Sequence, residues 1–85
     1  MPQRIYIGNL TRNIANQTIA EKFSKYGIVY SAKVVTEVGT DSSSAFAFVE
    51  MASSEEAQLA IKDLNGSVMD GRLIHVKEDI KTYLH

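Results

Sequence analysis

The chain has 85 residues, 45% of them apolar and 22% charged, and a net charge of −1. These proportions are ordinary for a soluble globular protein, and the length allows one modest core, so residues 1–85 are read as a single domain. With no cysteine in the chain, disulfides and thiolate metal sites are excluded, and no apolar run approaches the ~18 residues of a membrane span. Two histidines, His75 and His85, are too few for a metal site without carboxylate help. The first residues do not form a charged-then-apolar signal peptide. An intracellular setting, cytoplasm or nucleus, is the expectation.

After a loose start at Met1 to Gln3, the first strand is predicted over Arg4 to Asn9. Ile5 and Ile7 share one parity, and Arg4 and Tyr6 share the other. Side chains alternate across a strand, so these two pairs lie on opposite faces. Thr11-Arg12-Asn13 is a polar connection to a helix over about Asn16 to Lys25. Ile19, Ala20, Phe23 and Tyr26 give that helix a one-sided apolar face. Ile14 and Ile19 have the separation of a hydrophobic staple with Ala15 at the N-cap. Alanine offers no side-chain acceptor, so Asn16 is the alternative cap. Gly27 suits the turn that ends the helix.

The second strand is predicted from Val29 to about Thr36, with Ala32 and Val34 opposite in parity to Lys33 and Val35. Glu37 to Ser43 reads as a loop. The third strand, Ser44 to Met51, alternates most clearly. Ala47, Val49 and Met51 serve a core, while Phe46 and Phe48 share the other face with Ser44 and Glu50. Ser53 and Glu56 form a capping box for a second helix carrying Ala57, Ala60, Ile61 and Leu64 on one side. Asn65-Gly66 stops it. Val68-Met69 is a short edge segment before an Asp70-Gly71 turn, and Arg72 to Glu78 is the last strand. There Ile74 and Val76 face the core, and His75 and Lys77 the opposite side.

The order strand, helix, strand, strand, helix, strand is the split β-α-β pattern of an α+β, ferredoxin-like fold. Four antiparallel strands with two helices on one face leave the other face open. Tyr6, Phe46 and Phe48 then form one aromatic patch on that face. Two readings of the patch compete: stacking with flat ligands, or cross-strand stabilisation of the sheet itself.

Ile5-Tyr6-Ile7-Gly8-Asn9-Leu10 and the octapeptide Ser44 to Met51, in this order and with helical patterns between and after them, resemble the RNA recognition motif family. The likeness runs from about Arg4 to Lys77. The hexapeptide is a full match and the octapeptide a partial one. The resemblance implies base stacking on Tyr6, Phe46 and Phe48. The polar groups Asn9, Lys33, Glu50, His75 and Lys77 could read base edges or touch phosphates, and Arg4 and Arg72 could reach from the rim. Two departures lower the expected affinity. Ser44 stands where the family usually has Lys or Arg, and Ala45 where it usually has Gly. Phosphate neutralisation supplies most sequence-independent affinity, and Glu37 and Asp41 are the only charges in the preceding loop.

No Gly-rich phosphate loop, nucleophile motif or His/Cys/Asp cluster points to an enzyme or a cofactor. The reading is a monomeric module that binds short single-stranded RNA, with no cofactor, metal or membrane. Its rival is a protein-interaction module of the same fold, and a small-molecule domain of ferredoxin-like type is a third reading. In the tail, Ile80, Tyr83 and Leu84 share one helical face and could cover the open sheet, but chain ends usually fray. A free tail is the expectation.

Overall fold

The structure is a computed structural model that describes residues 2–36 and 44–79. The loop at 37–43 and the tail at 80–85, with the expectation attached to it, lie outside the described residues. The chain forms β1 (Gln3–Thr11), α1 (Asn16–Ser24), β2 (Val29–Val35), β3 (Ser44–Met51), α2 (Ser54–Leu64), β4 (Val68–Met69), β5 (Arg72–Leu73) and β6 (His75–Glu78). One sheet has the order β2-β3-β1-β6, every neighbouring pair antiparallel, and β4 and β5 form a separate hairpin. This is the expected ferredoxin-like architecture.

The core lies between the sheet and the two helices. Ile5, Ile7, Ala47, Val49 and Met51 are fully buried there, against Ile19 and Phe23 of α1 and Ala57 and Ala60 of α2. The helices place their buried residues on this side alone, so among the described residues neither covers the opposite face. Full burial of each large side chain contributes about 1.5–3 kcal/mol. Ile14 and Ile19 both join the core, as the staple requires. The helix start differs from expectation in one respect. Ala15 is the N-cap and provides no side-chain bond. Asn16 does not cap either; its Oδ1 accepts from the Val34 amide at 2.8 Å and ties the helix start to β2. At α2 the cap forms as read, with Ser53 Oγ accepting from the Glu56 amide at 3.2 Å. The Glu56 carboxyl group lies against Gly27, where a Cβ would overlap it. Gly27 therefore makes room for a neighbour; it does not supply a left-handed turn.

Three irregularities escape the simple alternation. The β1–β3 register shifts between Ile7 and Leu10, because Ile7 pairs with Ala47 and Leu10 with Ala45. One extra residue on β1 makes a bulge, and Leu10 turns into the core beside Ile5 and Ile7. Asn9 takes the left-handed conformation there, with φ of 64°. A second shift, between Val29 and Ser31, puts Val29 on the core side with Ala32 and Val34 and leaves Tyr30 exposed. The expected last strand is two strands. Arg72–Leu73 pairs with β4, and His75–Glu78 pairs with β1. Between them buried Ile74 exchanges backbone bonds with Ser67 and Gly66. The chain changes partner at Ile74 because a tight turn holds the first half. Asp70 and Gly71 have φ of 52° and 78°, the signs a two-residue type I′ hairpin needs.

The hairpin is latched to the β1 bulge. Asn9 Nδ2 donates to the Leu73 carbonyl at 2.6 Å. Arg72 Nη2 donates to Asn9 Oδ1 at 2.8 Å, and its Nε donates to the Asn9 carbonyl at 3.2 Å. Asn9→Ala removes the side-chain bonds and strains the backbone, and should cost about 2–4 kcal/mol. Asn9→Gly keeps the backbone at ease and should cost less. Equal losses on urea denaturation would mean that the left-handed backbone adds nothing.

On the helical side, Tyr26 Oη donates to Asp63 at 3.2 Å. Burial and the Asp63 carboxylate raise the Tyr26 phenol above its ordinary value. A raised folded pKa contributes stability that is present below the unfolded value of ~10 and lost as pH rises through the folded value. Thermal unfolding followed into alkaline pH should therefore show a falling limb that Tyr26→Phe flattens.

Candidate nucleic-acid interface

β1 and β3 occupy the centre of the sheet, so their outward side chains meet across one ladder. Tyr6 pairs directly with Phe48, and Arg4 with Glu50. β2 adds Lys33 opposite Phe48, Val35 opposite Phe46 and Ser31 opposite Glu50. β6 adds Lys77 opposite Tyr6 and His75 opposite Gly8. The period of two therefore gathers the predicted Tyr6, Phe46, Phe48, Arg4, Lys33, Glu50, His75 and Lys77 on one face.

Tyr6, Phe46 and Phe48 are each half-buried. Their ring centroids are 5.7–5.9 Å apart. Tyr6 and Phe46 lie within 30° of parallel, whereas Phe48 stands at 61° to Tyr6 and 85° to Phe46. Such pairs stabilise each other by about 0.5–1.5 kcal/mol beyond their buried area. The rings are thus a packed cluster as well as a surface.

Cations already lie on two of them. The Arg4 guanidinium carbon is 4.5 Å from the Phe48 centroid, and Lys77 Nζ is 5.4 Å from that of Tyr6. Arg4 is held in place by Asp79, Nε to Oδ2 at 3.1 Å, and by a backbone bond from the Asp79 amide to the Arg4 carbonyl. Asn9 borders the hollow beside Tyr6, but its amide is engaged in the latch to Leu73 and Arg72. Arg72 is engaged with it, so the latch accounts for both. Ser44 sits on β3 opposite Thr11.

Two positions on this face were not anticipated as site residues. Gly8 has the parity of Tyr6, and the Tyr6 ring lies along it: a Cβ at Gly8 would come within 3.0 Å of the Tyr6 hydroxyl oxygen. Ser31 borders a hollow with Arg4, Lys33 and Glu50. In both cases the signal was the alternation itself, extended one step beyond the conspicuous residues. Among the described residues, no cluster of His, Asp or Glu could hold a metal ion, and no helix is long and apolar enough to cross a membrane.

A profile of the RNA recognition motif family matches residues 5–75. The chain belongs to that family. Both peptides that carry the resemblance fall inside the matched span. The small ribosomal subunit protein cS22 of Spinacia oleracea is 42% identical over 77 residues, covering 91% of this chain and 30% of that protein. The 31 kDa chloroplastic ribonucleoprotein of Nicotiana sylvestris is 44% identical over 73 residues, 86% of this chain and 23% of that protein. This RNA recognition motif thus spans less than a third of the length of these curated relatives. Among solved structures, the crystal structure of RNA Binding Protein PG1 superposes with a TM-score of 0.82 at 36% identity, over 92% of this chain and 94% of that one.

Gly8 supplies the first test of this geometry. Gly8→Ala should shift the Tyr6 ring by a few tenths of an ångström while the core, on the other side of the sheet, stays in place. In NMR spectra the Tyr6 ring resonances and those of the Lys77 side chain should shift, and those of Ile5 and Val49 should hardly move. Equal shifts on both faces would contradict the assigned placement of the ring.

Proposed function

We propose that the open sheet face binds a short single-stranded RNA, with bases stacked on Tyr6, Phe46 and Phe48. The observation that carries this reading is the cluster of half-exposed rings, flanked by Arg4, Lys33, His75 and Lys77, on a face that no described element covers. Membership of the family and the ribonucleoprotein names of its relatives support it. The chloroplastic names among those relatives support an intracellular setting. The module acts by binding, as a monomer and without catalysis. Asn9 contributes indirectly, by fixing the end of β1 beside Tyr6.

Stacking is worth about 1–3 kcal/mol per base and tolerates any base, because each has a π-face. Replacing Phe46 or Phe48 with Ala should therefore weaken RNA binding by about 1–3 kcal/mol. Some stability is also lost, because the rings pack on one another. Normal binding by a folded but destabilised variant would mean that the rings are structural only.

Phosphate contacts are sparse, so affinity is modest. Ser44→Lys introduces a cation where relatives of this fold usually carry one, and should raise both affinity and its salt dependence. An unchanged salt slope in titrations would mean that no phosphate passes near this position.

A second reading rests on a different surface. A groove of about 520 Å3 runs between α1 and the edge of β2, with Ile28 and Tyr30 on its wall exposed by 64% and 60%. A protein partner could dock there. NMR titration with pools of short RNA separates the two: shifts along β1 and β3 support RNA, and none at high RNA concentration favours the protein partner.

A further inference from the structure

Beside Phe48 the platform is not flat. A hollow of about 270 Å3 opens there along Phe48 and Glu50 of β3, with Arg4 of β1 on one side and Ser31 and Lys33 of β2 on the other. Glu50 stands at its centre in register terms: Arg4 is its partner on β1 and Ser31 its partner on β2. Arg4 nevertheless gives its ion pair to Asp79, at 3.1 Å. Among the described residues the Glu50 carboxylate has neither a hydrogen bond nor an ion pair. It is exposed on the central strand of a face that we read as meeting a polyanion.

A carboxylate in that place repels phosphates and weakens the sequence-independent part of binding. What it can do is accept hydrogen bonds, through two oxygens and with no donor of its own. Single-stranded bases present their Watson–Crick edges to a protein. Guanine alone among the four offers two adjacent donors on that edge, N1–H and the N2 amino group. Adenine and cytosine each offer one amino donor beside a ring-nitrogen lone pair. Uracil offers one N–H between two carbonyl oxygens. Against a carboxylate these three gain one bond and meet a repulsive neighbour, while guanine gains two charge-assisted bonds, each roughly twice as strong as a neutral one.

In duplexes, acids instead accept from the cytosine amino group, because guanine's own edge is paired. A single strand removes that restriction. Arg4 and Lys33 flank Glu50 as donors suited to guanine's acceptors, O6 and N7. We propose that this hollow is a guanine-selective subsite, with the Glu50 carboxylate as the reader and Phe48 as the stacking wall. The inference rests on the RNA reading of the same face and adds a base preference to it.

The test uses the full chain and fluorescence anisotropy with labelled oligouridylate strands carrying one central guanosine, inosine, adenosine or cytidine. The guanosine strand should bind tightest, by roughly tenfold over the adenosine and cytidine strands, the scale of a good bidentate contact. Inosine lacks the N2 amino group and should lose most of that advantage. Glu50→Gln, which keeps one acceptor oxygen but adds a donor, should bring the ratios between strands close to one. Equal binding of all strands by the unaltered chain overturns the subsite while leaving RNA binding intact. So does a guanosine preference that survives Glu50→Gln, and a cytidine preference abolished by it would assign Glu50 to the wrong base. Failure to bind any strand overturns the RNA reading itself, and the subsite with it.

Discussion

The register of β1 against β3 is the constraint on which the rest depends. Ile5, Ile7, Ala47 and Val49 must all face the helices, and side chains alternate, so Tyr6 and Phe48 must face away and opposite each other. A slip of one residue would expose the core set and bury Arg4 and Glu50. Each large core side chain contributes about 1.5–3 kcal/mol, against about 0.5–1.5 kcal/mol for an aromatic pair on the open face, and the core set is larger. The ligand-facing geometry is therefore held from behind. Aromatic contacts refine it, but they do not choose it.

That dependence explains what was legible in the sequence. The helices, the central strands and the platform set followed from periods of 3.6 and 2, because one-sided burial imposes those periods. The bulges did not. Leu10 has the parity of Tyr6 yet is fully buried, since Asn9 adds a residue to β1 in a left-handed conformation. Tyr30 is the extra residue on β2, without a left-handed backbone. Asparagine tolerates the left-handed region better than most residues, but that alone marks no bulge at Asn9, and nothing local marks Tyr30; the need arises from the partner strand. The split at Ile74 has a similar origin, since His75 and Arg72 answer to different neighbours. Asn16 and Gly27 were read as helix-end residues, but contacts distant in sequence, Val34 and Glu56, decide their roles.

The latch at Asn9 links this irregularity to the open face. The bulge that turns Leu10 inward also aims the Asn9 amide at the β4–β5 hairpin, where Arg72 and Leu73 receive it. One residue thus fixes the end of β1, the hairpin and the border of the hollow beside Tyr6. A polar residue next to an aromatic platform invites a base-reading role. The left-handed φ and three hydrogen bonds give Asn9 a sufficient structural one.

The electrostatics of the face set its affinity. Arg4 and Lys77 are engaged with Phe48 and Tyr6 before any ligand arrives. A base that stacks on either ring must displace the cation or share the ring with it. An exposed cation–π contact is worth about 0.5–1 kcal/mol, and a stacked base about 1–3 kcal/mol, so stacking wins by a narrow margin. For Arg4 the exposed pair with Asp79 adds at most about 1 kcal/mol of resistance. Among the described residues no acid holds Lys77, so once displaced it could meet a phosphate, whereas Arg4 stays tethered to Asp79. The two ends of the platform therefore differ. On the proposed RNA reading, stacking and phosphate neutralisation would act together at Tyr6 and make binding salt-sensitive. At Phe48, on the same reading, the tethered guanidinium and a Glu50 carboxylate with no partner among the described residues would leave discrimination between bases as the larger contribution.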